Sequence, residues 1–125
     1  MRMSTRCDRF APGVVREALA GLPQADQGWV LGDAMLVASE LVSNAVRHSG
    51  SAEDQIVSVD VRRAADRLEI SVSDPGESGG RAELSDRPME SGGLGLKVVD
   101  QLSARWGSER RGGGYRVWAE LPLPA

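Results

Sequence analysis

The order of hydrophobic patterns along this chain predicts an α+β fold. The expected architecture is a two-layer α/β sandwich, its mixed and mostly antiparallel sheet covered on one face by three helices. Three observations carry that expectation. Two early segments place apolar residues at helical spacing, and short segments of strand period follow them. A glycine-rich stretch then separates these from a third helical segment and the final strands. With 125 residues, the chain is expected to form a single domain over residues 10–125, preceded by a polar tail of residues 1–9.

The first helix is expected near Pro12, a residue suited to a first helical turn. Val15, Ala18, Leu19 and Leu22 supply its apolar side, and Gly21 and Pro23 help to end it. After a polar connector, residues 24–27, a long second helix runs to Ser49-Gly50-Ser51. At 100° per residue, Ala34, Met35, Ala38, Leu41, Val42, Ala45 and Val46 share one arc of it, while Asp33, Glu40, Ser43, Asn44 and Arg47 share the opposite arc. Ile56–Asp60 and Leu68–Ser73 alternate as two strands of a hairpin. Asp74-Pro75-Gly76 breaks the second strand. Residues 77–91 are rich in Gly, Ser, Arg and Glu with little to bury, a composition expected of a lid. Gly92-Gly93-Leu94-Gly95 opens the third helix, with Leu96, Val99 and Leu102 as its buried stripe. Arg105-Trp106-Gly107, a Gly112-Gly113-Gly114 turn and the strand Tyr115–Leu121 complete the chain, and Pro122 and Pro124 stop it.

Composition narrows the function. Aromatic residues make up 4% of the chain, so aliphatic side chains must fill the core. The formal net charge is −3 and the arginines are scattered, which argues against nucleic acid as a direct partner. Fourteen of the fifteen basic residues are arginine, a bias that coding preference explains as readily as function. Cys7 is the sole cysteine, so an internal disulfide is excluded and a reducing compartment is expected. It sits in the polar tail and is assigned no role. No apolar run approaches a membrane span and no basic-then-apolar leader opens the chain, so a cytoplasmic protein without a membrane partner is expected.

Several residues suggest chemistry. Glu40, Asn44 and Arg47 align a carboxylate, a carboxamide and a guanidinium at i, i+4 and i+7. The first two can hold a metal or water over one face, and the third can neutralise phosphate. An ordinary solvated helix face explains the same pattern. Gly92-Gly93-Leu94-Gly95 at a helix start exposes backbone N–H groups to an anion, although glycines also open helices for steric reasons. It is neither a Walker loop nor a dinucleotide-binding GxGxxG after the first strand. Asp74 can be a turn former, or it can accept a hydrogen bond from an exocyclic amine. His48, the single histidine, stands without the cysteines or carboxylates a zinc site needs. The three tryptophans, Trp29, Trp106 and Trp118, are expected to pack, and Arg62-Arg63 and Arg110-Arg111 to be solvated loop charges.

The combination is more specific than its parts. A Glu-x-x-x-Asn helix, a strand ending in Asp-x-Gly, a lid and Gly-x-Gly opening a helix follow in that order. From about Phe10 to Leu123 the chain resembles the GHKL ATPases, which share the Bergerat ATP-binding fold. Within them it looks most like the small anti-sigma factor serine/threonine kinases and their actinobacterial relatives. Residues 40–48, Glu-Leu-Val-Ser-Asn-Ala-Val-Arg-His, match the family's N box. Gly92-Gly93-Leu94-Gly95-Leu96 matches its second glycine box, and residues 117–122 look like its last strand.

The resemblance implies ATP and Mg²⁺ as cofactors. It implies that Asn44 coordinates Mg²⁺, that Glu40 is the general base, and that Asp74 binds the adenine amine. Gly76 would border the base, Gly93, Leu94 and Gly95 would cradle the phosphates, and Arg47 would neighbour them. Three departures stand out. Ser78 replaces the second glycine of the first glycine box, the lid is short, and Tyr115-Arg116 stands where relatives often place Thr. The expected activity is that of a protein serine/threonine kinase acting on an anti-sigma factor antagonist and sequestering a sigma factor. The alternative is a non-catalytic ATP-binding module for partner switching. Homodimerisation is implied by the resemblance alone. A sensor histidine kinase fits less well, because the sole histidine lies inside the N box.

Overall fold

The computed structural model describes residues 1–22, 31–48, 55–74, 93–111 and 114–123. The elements in chain order are β1 (Arg2–Arg6), α1 (Ala11–Ala20), α2 (Leu31–His48), β2 (Ile56–Arg63), β3 (Arg67–Asp74), α3 (Gly93–Leu102), β4 (Arg105–Arg111) and β5 (Gly114–Pro122). Among the described residues, three helices lie on a five-stranded sheet of order β1-β2-β3-β5-β4. The expected two-layer sandwich is present, and every strand pairing is antiparallel.

Strict alternation builds the sheet. Val57, Val59 and Val61 of β2, Leu68, Ile70 and Val72 of β3, and Val117, Ala119 and Leu121 of β5 all face the helices and are buried. The register sets Leu68 opposite Leu121, Ile70 opposite Ala119 and Val72 opposite Val117, so apolar rows cross the sheet. The helices answer with Val15 and Leu19 of α1, Val37, Leu41 and Val42 of α2, and Leu96 and Val99 of α3, each at most 2% exposed. α2 is the central helix, packing on α1, α3, β2, β3 and β5.

Residues 2–6 form an edge strand where a tail was expected. Arg2-Met3-Ser4-Thr5-Arg6 alternates in exposure and pairs with β2, Arg2 opposite Asp60 and Arg6 opposite Ile56. Cys7 is therefore buried: its backbone N–H donates to the Gln55 carbonyl at 2.9 Å, and its Sγ lies 4.0 Å from the Ala45 carbonyl. Arg62 and Arg63 belong to β2, and Arg110 and Arg111 to β4, so none of them is a loop charge.

The opposite face of the sheet carries a lattice of ion pairs. Arg62 and Arg67 both bond Glu69, at 3.0 and 2.9 Å. Arg105 pairs with Glu120 at 3.1 Å, Arg116 with Glu109 at 3.1 Å, and Arg2 with Asp60 at 3.4 Å. Exposed pairs of this kind each contribute about 0–1 kcal/mol. Trp118 lies among them against Gly107, where a Cβ would come within 3.0 Å of the ring, and Arg105 stacks over the indole at 5.8 Å. Trp106 faces the helices and ties α3 to β4, its indole N–H donating to Asp100 Oδ1 at 2.8 Å.

Candidate nucleotide site

The polar arc of α2 is only partly a solvated face. Asp33 and Arg47 are exposed and Glu40 and Ser43 are partly buried, but Asn44 is only 1% exposed. Asn44 follows Val37 and Leu41 by seven and three residues, so it continues a buried stripe that an aliphatic side chain would fill comfortably. Its Oδ1 is buried and accepts no hydrogen bond among the described residues. By contrast, the buried Ser39 hydroxyl donates to the Leu36 carbonyl at 3.1 Å. A buried acceptor left without a partner costs about 1–3 kcal/mol, so the Asn44 oxygen calls for a partner beyond the described residues.

Asp74 is the last residue of β3, 8% exposed, on the helix-covered face. Rows above it on that face are apolar, so the carboxylate stands at the margin of the core, with Tyr115 of β5 directly across from it. Asp74 thus ends a strand in the helix-covered layer, a position more demanding than that of a surface turn former.

Register and connectivity gather these groups at one end of the sheet. Ser58 pairs with Ser73 and Arg6 with Ile56, so Asp74 and Cys7 lie at the same end. The contact between Cys7 and the Ala45 carbonyl brings the Asn44 turn of α2 over that end as well. A two-residue connector, 103–104, turns the chain from α3 into β4, and the Asp100–Trp106 bond holds the two side by side. Seven helical residues back from Asp100 span about 10 Å, and four strand residues on from Trp106 span about 13 Å. The first turn of α3, Gly93–Gly95, therefore lies near the Arg110 end of β4.

Asn44, Asp74 and the start of α3 thus lie toward one end of the sheet on its helix-covered face, and Glu40 stands one turn before Asn44 on α2. Arg47 extends from the same helix toward solvent, with no ion pair among the described residues. Gly76, Ser78 and the lid, residues 77–91, lie outside the described residues, as does Trp29. His48 is the last residue of α2. No cluster of three or more His, Cys, Asp or Glu that could hold a metal occurs among the described residues.

Residues 32–125 match the family model described as histidine kinase-, DNA gyrase B-, and HSP90-like ATPase. The chain belongs to this ATPase family. Solved structures agree on the fold. The RsbU and RsbW domains of Rv1364c from Mycobacterium tuberculosis superpose with a TM-score of 0.64 at 19% identity, over 98% of this chain and 31% of that one. The histidine kinase domain of the blue-light activated histidine kinase EL346 from Erythrobacter litoralis gives 0.58 at 26% identity, over 74% of this chain and 44% of that one. The catalytic domain of histidine kinase ThkA gives 0.57 at 14% identity, over 98% and 97%. The chain spans less than half the length of the first two. A search of curated protein sequences gives no match.

The sequence singles out Glu40, Asn44, Asp74 and the α3 glycines and sets Asn44 on the polar arc of α2, where the structure buries it. Arg110, expected as a loop charge, instead lies in β4 and shares the end row of the sheet with Tyr115 and Asp74. The signal was present in the alternation of Trp106, Ser108 and Arg110, which sets all three on one face.

Proposed function

We propose that this chain binds ATP with Mg²⁺ and transfers phosphate to a serine or threonine of an anti-sigma factor antagonist, and that it holds a sigma factor inactive until that antagonist competes. The observation that carries the nucleotide part is Asn44, a buried carboxamide whose oxygen lacks a partner among the described residues, one turn after Glu40. Membership of an ATPase family and the likeness to a structure containing an RsbW domain support the reading.

An amide oxygen is a hard donor and fits a small divalent cation whose other positions are filled by water and phosphate oxygens. Mg²⁺ held at Asn44 would supply positive charge against those phosphate oxygens. Asp74 accepts the exocyclic amine of adenine, which fixes the base at the inner end of the pocket. The N–H groups of the first turn of α3, reinforced by the helix dipole, meet the phosphates from the other side. Glu40 is partly exposed, one turn before Asn44, which leaves its carboxylate open to an attacking hydroxyl. It accepts the proton of the attacking hydroxyl as that oxygen bonds to the terminal phosphorus and the bond from this phosphorus to the bridging oxygen breaks, releasing ADP. Positioning and charge stabilisation supply the rest of the rate.

Incubation with γ-labelled ATP, Mg²⁺ and purified candidate antagonists tests the proposal. Label should appear on an antagonist serine or threonine, and Glu40→Gln should lower the rate by about 10²–10⁴-fold while ATP still binds. ATP binding without transfer to any antagonist, at equal levels in parent and variant, would favour the non-catalytic module instead.

A further inference from the structure

The helix-covered face of the sheet is apolar in its interior and polar at one margin. There Asp74 of β3, Tyr115 of β5 and Arg110 of β4 stand in a single cross-strand row, Asp74 opposite Tyr115 and Tyr115 opposite Arg110. Arg110 is exposed and forms no ion pair among the described residues. The arginines of the opposite face, Arg2, Arg62, Arg67, Arg105 and Arg116, are each matched to a carboxylate. A carboxylate, and a guanidinium with no ion pair among the described residues, therefore flank a buried tyrosine on one margin. Two strand spacings, about 10 Å, separate them. The first turn of α3 lies above the guanidinium end.

A ligand that fits this row carries a hydrogen-bond donor at one end and an anion at the other, as an adenine nucleotide does. We propose that Arg110 is a phosphate-binding residue of the nucleotide pocket, contacting the phosphates from the β4 side while the α3 amides contact them from above. The proposal rests on the reading that Asp74 holds the base. The planar, permanently charged guanidinium can meet two phosphate oxygens at once, which a lysine cannot reproduce.

The test compares ADP and adenosine binding to the full chain by calorimetry, for the parent, Arg110→Gln, Arg110→Lys and Asp74→Asn. Arg110→Gln is expected to weaken ADP by about tenfold to a hundredfold and to leave adenosine unchanged, with Arg110→Lys in between. Asp74→Asn is expected to weaken both. Equal ADP affinity in parent and Arg110→Gln would overturn the role of Arg110. So would an equal loss for ADP and adenosine, which would mean that the residue acts on the base or on the fold. A parent that binds neither compound would instead overturn the nucleotide site itself.

Discussion

Replacing Asn44 with leucine should stabilise the empty protein and abolish its response to nucleotide. Leucine keeps the γ-branched outline of asparagine but is bulkier, and the position continues the buried stripe of Val37 and Leu41. The substitution removes a buried carbonyl oxygen that has no partner among the described residues. Relief of that desolvation, about 1–3 kcal/mol, is opposed by the extra volume, so a net gain of about 1 kcal/mol is expected. For a domain of this size that raises the melting temperature by roughly 3–5 °C. Ligand reverses the order. Parent protein with ATP and Mg²⁺ at a hundred times the dissociation constant gains about 2.7 kcal/mol, and the variant should gain far less. Thermal melts of both proteins, each with and without ATP and Mg²⁺, should therefore cross. If the empty variant melts well below the parent, or if both gain equally from ATP, Asn44 is a structural residue and the site has been misplaced.

Other consequences are local. Gly107→Ala puts a Cβ within 3.0 Å of the Trp118 ring, and the resulting overpacking should cost about 1–3 kcal/mol in urea unfolding; an unchanged midpoint would show that the indole does not rest on that glycine. The Arg105 hydrogen bond is the main influence holding the Glu120 carboxyl below its ordinary range. A depressed folded-state pKa contributes stability that is full above the ordinary carboxylate range and is lost as pH falls through the depressed value. Glu120→Gln should therefore lose less stability than the parent on acidification from about pH 6 to pH 3, and parallel pH–melting curves would contradict the pairing.

Much of this fold was legible in local pattern. The alternation in 56–60, 68–73 and 115–121 and the helical stripes of Val15 with Leu19 and Leu96 with Val99 need only their own neighbours to be read. What escaped depends on distant partners. Arg2–Arg6 alternates too, but its inward residues are methionine and threonine, and only pairing with β2 makes it a strand. A helical wheel puts Asn44 among charged residues because it records direction and not what stands there. Arg110 beside Arg111 and three glycines resembles a loop charge, and only the register with Tyr115 and Asp74 shows the face it shares. The placement of Glu40 and Asn44 one turn apart was readable from spacing because one helix carries both.

The most direct test of a nucleotide held between α2, α3 and the ends of β3 and β5 is residue-resolved NMR titration with ATP and Mg²⁺. The Asn44 side-chain amide, the Asp74 backbone and the amides of Gly93–Gly95 should shift together and saturate with one dissociation constant. Omission of Mg²⁺ should reduce the change at Asn44 most. Shifts confined to the ion-paired face around Trp118, or none at millimolar ATP, would contradict the site.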